Sequence, residues 1–347
     1  MIASVRKMSK IVVTGAGGFI GSILVEEALK AGHDVKAVDR FFFGENVFSE
    51  LGYSDKLNCE KKDIREIEAE DLAGADAIFD LAALSNDPTG ELDLGLTTAI
   101  NLHGRLNVVR AAREAHVPRY IMASSCSVYG FSIDRTLTED CEVNPQTAYA
   151  RSMVDAELAA FACRTESFAV TAIRQATIFG LSRRMRFDLV VNTMIKSAVE
   201  TGRIKVTGGG NQWRPLLHVR DTARALLMTA DAPATTVNGR IFNIGFANFR
   251  MRDLAELVKA CLPIPIEVIV ESETMDNRSY RVSFDRAKDV LGFVAERDVT
   301  FGVAEVYNAL SSGTVDRSDR TITVGWYKHL IEADNLVRHL ALNGRML

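Results

Sequence analysis

Thr14-Gly15-Ala16-Gly17-Gly18-Phe19-Ile20-Gly21 stands between the β-branched run Ile11-Val12-Val13 and the apolar stretch Ser22-Ile23-Leu24-Val25. A strand that runs into glycines at 15, 18 and 21 and then into a helix is a device for bringing backbone close to a pyrophosphate. Gly15 permits the tight turn, Gly18 removes a Cβ from the path of the phosphates, and Gly21 lets helix pack on strand. Phe19 and Ile20 open the helix, whose first N–H groups and positive dipole end face the anion. The spacing is G-x-x-G-x-x-G, with the second glycine one residue later than in the plain G-x-G-x-x-G form.

The next strand pattern, Asp34–Val38, ends in Asp39, a little beyond the ~20 residues at which a ribose-binding acid is expected. A carboxylate there accepts hydrogen bonds from the adenosine hydroxyls and repels a 2′-phosphate, which favours NAD over NADP. Arg40 beside it keeps NADP open, because a guanidinium offsets that repulsion. Further strand patterns at Ala77–Leu81, Tyr120–Ala123 and Ala169–Arg174 alternate with helical patterns at Gly21–Ala31, Thr98–Ala115 and Ala148–Cys163. Such alternation predicts an α/β fold: a doubly wound parallel (Rossmann) sheet with helices on both faces and a ligand crevice at the strands' carboxyl ends. Beyond Gly180 the alternation weakens. Strand-like Arg203–Thr207, Arg240–Ile244 and Ile266–Val270 mix with helices at Val219–Ala230 and Met251–Cys261, which suggests a smaller substrate lobe interleaved with the first domain. The expected division is residues 1–180, with return segments about 214–245, and 181–347. The tail carries one helix pattern, His329–Leu342, and no nameable chemistry.

Composition limits the partners. The 347 residues carry a formal net charge of −4, which gives no case for nucleic acid or an anionic membrane. No apolar run reaches the ~18 residues of a spanning helix, and Met1–Lys10 is too short and polar for a signal peptide. Cys59, Cys126, Cys141, Cys163 and Cys261 are odd in number and lack metal spacing. They read as reduced thiols of a cytoplasmic protein that uses no metal.

Two further stretches carry chemistry. Ile121-Met122-Ala123-Ser124-Ser125-Cys126-Ser127-Val128-Tyr129-Gly130 reads as a buried strand delivering hydroxyls into the crevice, and Pro145-Gln146-Thr147-Ala148-Tyr149-Ala150-Arg151-Ser152-Met153 opens a helix. With the glycine turn, Asp39, Asp63-Ile64, Leu81-Ala82-Ala83, Trp213-Arg214-Pro215-Leu216-Leu217-His218-Val219-Arg220-Asp221 and Asn243-Ile244-Gly245, the chain resembles the extended short-chain dehydrogenase/reductase family. The likeness is to its NAD-dependent nucleotide-sugar epimerases and dehydratases, over roughly Lys10 to Phe293.

The resemblance implies that Ser125 and Tyr149 hold a substrate hydroxyl or carbonyl against the nicotinamide, with Tyr149 as proton acceptor and donor. It implies cofactor contacts from Asp63, Ile64, Leu81, Ala82, Ala83, Ser85, Asn101 and Ala123. It implies substrate contacts from Asn86, Thr177, Asn192, Arg214 and either Arg278 or Arg281. It also implies a homodimer built on the helices Thr98–Ala115 and Ala148–Cys163, with their small residues Ala111, Ala112, Ala156, Ala159, Ala160 and Ala162.

One position departs from the family. A lysine four residues after the tyrosine lowers the phenol's pKa and bonds the nicotinamide ribose; here that residue is Met153, which is uncharged and donates nothing. Three readings are open: an engineered exchange, a natural variant whose tyrosine is activated by cofactor charge or another cation, or a dinucleotide-binding sensor without turnover. Arg151, two positions from Tyr149, is expected to face away.

After Ser125, family dehydratases place an Asp-Glu pair and decarboxylases a glutamate, where this chain has Cys126-Ser127. A 3,5-epimerase uses a cysteine in this region, so Cys126 keeps that reaction open. The simplest reaction left is oxidation at sugar C4, rotation of the ketone and hydride return to its other face: a 4-epimerase, with a dehydratase, 3,5-epimerase or reductase as alternatives.

Overall fold

The structure is a computed structural model, and it describes residues 10–52, 55–271 and 279–342. Seven strands form the central sheet: β1 (Lys10–Thr14), β2 (Asp34–Asp39), β3 (Leu57–Lys61), β4 (Ala77–Asp80), β5 (Arg119–Ser125), β6 (Ala169–Gln175) and β7 (Arg240–Ile244). Their order is β7-β6-β5-β4-β1-β2-β3, and every adjacent pair is parallel. The winding direction reverses between β1 and β4, which opens a crevice at their carboxyl ends.

The inner strands are apolar on both faces because both are covered. Ile11, Val13, Ala77, Phe79, Ile121 and Ile173 belong to one buried cluster, and Val12, Ile78, Tyr120, Met122 and Val170 to the cluster across the sheet. That split follows the two-residue side-chain period of a strand. The principal helices are α1 (Phe19–Lys30), α2 (Arg105–Glu114), α3 (Ala148–Ala162), α4 (Val190–Thr201), α5 (Val219–Asp231), α6 (Met251–Cys261), α7 (Val299–Ser312) and α8 (Thr323–Leu340). α1 packs on α5, and α2 on α3. A π-helical stretch, Ala99–Gly104, leads directly into α2.

Small sheets make up the second lobe. Thr177–Phe179, Trp213–His218 and Ala247–Arg250 form one, Arg203–Val206 pairs with Glu267–Val270, and Phe131–Leu137 pairs with Ser279–Val282. β3 has no counterpart among the expected strands. It is an edge strand, its sequence Leu-Asn-Cys-Glu-Lys is largely polar, and its residues are exposed or half-buried, so it lacks a burial-driven pattern.

Four of the six small residues expected to form a dimer face are consumed inside the chain: Ala111, Ala112, Ala156 and Ala160 belong to the sheet-facing core. No helix among the described residues is long and apolar enough to cross a membrane.

Candidate active site

The crevice is a cleft of about 1300 Å³ running from the glycine turn to the second lobe. At its floor the three glycines do different work. Gly15 has φ +66°, and a Cβ there would lie 2.7 Å from the Ala82 nitrogen and 2.8 Å from the Leu81 carbonyl carbon. A Cβ on Gly21 would lie 2.1 Å from the Gly15 oxygen, so the first turn of α1 fits the loop only as glycine. A Cβ on Gly18 would meet only the Gly15 oxygen, at 3.1 Å, and otherwise open space. α1 has no side-chain cap, which leaves its first amides available to an anion. Gly18, Phe19, Ile20 and Gly21 all line the cleft, as that role requires.

Asp39 closes the turn. Its carboxylate accepts from the Gly17 N–H at 3.0 Å and the Phe41 N–H at 2.6 Å, and burial raises its pKa against those hydrogen bonds. Arg40 donates to Asp63 at 2.8 Å, and Arg65 grips the same carboxylate at 2.9 and 2.7 Å. The Arg65 hydrogen bond holds Asp63 far below the usual carboxylate range. Asp80, the last residue of β4, accepts the hydroxyls of Thr14, at 2.5 Å, and Tyr120. It thereby ties β1, β4 and β5 together within the sheet.

The reacting pair sits at the middle of the cleft. Ser125 ends β5, and its hydroxyl accepts from the Ser127 N–H at 3.1 Å. Tyr149 lies in the first turn of α3. Thr147 caps that helix, accepting from Ala150 N–H at 3.1 Å while donating to Asp87 at 2.6 Å. Glu91 accepts from the Ala148 N–H at 2.8 Å. Gly90 packs so closely that an added Cβ would lie 2.8 Å from the Tyr149 Cβ. The phenol and the Ser125 hydroxyl both line the cleft. Burial raises the phenol's pKa; Arg105, Ser125 and Arg186 work against that, and Asp87 adds to it.

The structure brings most expected site residues to the cleft: Gly15, Gly18, Phe19, Ile20, Gly21, Asp39, Arg40, Asp63, Ile64, Leu81, Ala82, Ala83, Ser85, Asn86, Ala123, Ser125, Tyr149, Thr177 and Arg214 line it. Five expected site residues do not line the cleft. Met153 is fully buried in an apolar cluster with Cys126, Val128, Tyr129 and Tyr280, and does not line the cleft. Cys126 lies in the same cluster, its thiol donating to the Arg174 carbonyl at 3.3 Å, and burial pushes its pKa far up.

Asn101 accepts from the Leu84 N–H at 2.8 Å and donates to Ser152 at 3.1 Å, which makes it a brace for the loop after β4. Asn192 spends its amide on the Gly180 N–H and the Arg186 carbonyl at 3.0 and 2.9 Å. Arg281 lies over the Trp213 ring at 5.3 Å, outside the cleft. Arg278 lies outside the described residues, as does most of Met1–Lys10. Arg151 is exposed and donates to the Gln146 carbonyl.

His218 is also structural. Its Nε2 lies 2.6 Å from Glu305, and its Nδ1 accepts from the Arg220 N–H at the start of α5.

Sequence reasoning missed two contributors. Arg105 lines the cleft and donates to the Ala82 and Ala123 carbonyls at 3.1 and 2.6 Å; nothing in its helical setting sets it apart from a surface arginine. The second is α8, which lies over the end of the cleft beside Asp39. Trp326 donates to the Phe42 carbonyl at 2.8 Å, and the Tyr327 ring meets Phe42 and Phe43 edge-on. Tyr327, Leu330, Ile331 and Asp334 face the cleft.

Comparison with known proteins agrees with this geometry. The NAD dependent epimerase/dehydratase family matches residues 11–245, and the chain belongs to that family. UDP-glucose 4-epimerase of Mycolicibacterium smegmatis is 30% identical over 303 residues, covering 84% of this chain and 96% of its own. dTDP-glucose 4,6-dehydratase of Streptomyces griseus is 27% identical over 307 residues, covering 85% and 92%. Among solved structures, MoeE5 in complex with UDP-glucuronic acid and NAD superposes with a TM-score of 0.77 at 27% identity, over 88% of this chain and 100% of that one. The protein is thus an NAD-dependent enzyme of the epimerase/dehydratase type, and the glycine cradle with Asp39 fits NAD.

Proposed function

We propose that the protein is a nucleotide-sugar 4-epimerase. The observation that carries this reading is that Ser125 and Tyr149 line the cleft together while Cys126 is turned into the core. The pair suits removal and return of one hydroxyl proton. The two residues after Ser125 bring no carboxyl group for water elimination or decarboxylation.

NAD, when bound, supplies the hydride acceptor and donor. Tyr149 takes the proton from the sugar hydroxyl as the alcohol becomes a ketone, and returns it when the ketone is reduced. Ser125 holds the same oxygen, donating as its carbonyl character grows. The Thr147 cap and Gly90 fix the phenol's position, so the proton moves within hydrogen-bond reach. Arg214, which lines the cleft in the second lobe, suits a diphosphate, which calls for guanidinium groups. UDP-hexoses head the substrates to test, since the relatives' names include UDP-glucose. The division at residue 180, the cytoplasmic setting and a homodimer belong to the same proposal; sedimentation at a monomer mass at micromolar protein would remove the last.

The test is product analysis by NMR after incubation with NAD and UDP-glucose, UDP-galactose or dTDP-glucose in deuterated water. The C4 epimer without carbon-bound deuterium is expected. Deuterium at C5 with a 4-keto-6-deoxy product would replace this reading with dehydration.

A further inference from the structure

Met153 leaves Tyr149 without the cation that the family supplies from its own helix, and the cleft holds one candidate to replace it. Arg105 begins α2, immediately after the π-helical stretch Ala99–Gly104, and single-turn widenings of this type recur at functional sites. The side chain is 2% exposed, yet it lines the cleft. Nε and Nη1 are anchored on the Ala82 and Ala123 carbonyls, at the carboxyl ends of β4 and β5. Ser125 is two residues beyond Ala123.

No carboxylate among the described residues pairs with Arg105, whereas the other arginine beside Tyr149, Arg186, is held by Asp188 at 3.0 and 3.1 Å. A buried guanidinium without a counter-ion is destabilising unless a developing negative charge uses it.

We infer that Arg105 is the positioning residue that takes over the missing lysine's electrostatic role, presenting its charge to Tyr149 from the strand side of the cleft. This rests on the reading of Tyr149 given above. The groups facing the phenol are Arg105 and Arg186 on the positive side, Asp87 on the negative side, and Ser125. Glu91 is engaged at the Ala148 N–H. Met153 then needs no catalytic property and serves as core.

The experiment compares Arg105→Gln, Arg105→Lys and the parent, full-length, each against its own Tyr149→Phe counterpart. Tyrosinate absorbance of cofactor-free protein gives the Tyr149 midpoint, and the pH profile of kcat/KM with UDP-glucose and NAD gives the acid limb. Arg105→Gln should raise both by about one unit or more, lowering the rate near neutral pH about tenfold, and Arg105→Lys should restore most of the loss.

A folded Arg105→Gln protein whose midpoint and limb match the parent overturns the inference. So does a chain that folds with neither Gln nor Lys, which would make Arg105 a structural clamp. If the midpoint moves but no nucleotide sugar turns over in the parent, the inference stands and the epimerase reading falls. If turnover is present and the midpoint does not move, the reverse holds.

Discussion

Gly15→Ala separates two demands made on one residue. The backbone at Gly15 has φ +66°, where a Cβ costs about 1–2 kcal/mol. The same Cβ would stand 2.7–2.9 Å from three backbone atoms of Leu81 and Ala82. Those atoms yield little: the Leu81 N–H bonds Thr14 at 3.2 Å, and the Ala82 carbonyl is gripped by Arg105. Overpacking against a fixed wall adds about 1–3 kcal/mol, for a total near 3 kcal/mol.

Gly313 is the control. It ends α7 with φ +70° and nothing within 4 Å of an added Cβ, so Gly313→Ala carries only the conformational term. Thermal melts should show Gly15→Ala lowered by about 4 °C and Gly313→Ala by about 2 °C. Calorimetric titration should show NAD binding weakened about tenfold or more in the first and unchanged in the second. Equal melting points for the two variants would refute the close-approach argument.

Other outcomes follow from the same geometry. Burial alone would push Glu26 up, but hydrogen bonds from Lys30, Arg183 and Arg220 hold its carboxyl down at about 2. A depressed carboxylate pKa stabilises above the unfolded value near ~4.3 and that stability is lost as pH falls toward 2. Glu26→Gln should therefore be about 2 kcal/mol less stable than the parent at pH 7, after allowance for its half-exposed partners, and nearly equal to it near pH 2, measured by denaturant unfolding. Asp39→Asn removes one of two acceptors at the glycine turn along with the charge. It should weaken NAD about tenfold and narrow the preference over NADP, read by calorimetry with each. Tyr149→Phe should cut turnover by about 10²-fold or more with NAD affinity nearly unchanged; an active phenylalanine variant would dismiss Tyr149 as proton carrier. Trp326→Ala removes the indole bond to Phe42, and stopped-flow displacement should show faster NAD release.

The sheet was legible because its inner strands are buried on both faces, and the glycine turn because three positions each meet a separate steric limit. That Asp39 lines the cleft was legible from its place at a strand end, and that Ser125 and Tyr149 do so from the family resemblance. The misplaced ones share a different cause. Cys126 and Met153 sit beside site residues in sequence, but strand and helix geometry turn them into one apolar cluster. Asn101 and Asn192 carry polar groups that buried backbone claims first. The tail helix was legible as a helix, but its role and that of Arg105 were not, because both depend on contacts from distant parts of the chain, which local pattern does not encode.

The seam between Trp326 and Phe42 joins positions 284 apart, and this orders events during biosynthesis. Phe42 leaves the ribosome well before its indole partner, which at about 5–20 residues per second follows roughly 15–60 s later. Until then the compartment beside Asp39 lacks its roof. Closure over that end of the cleft therefore waits for the segment that carries Trp326.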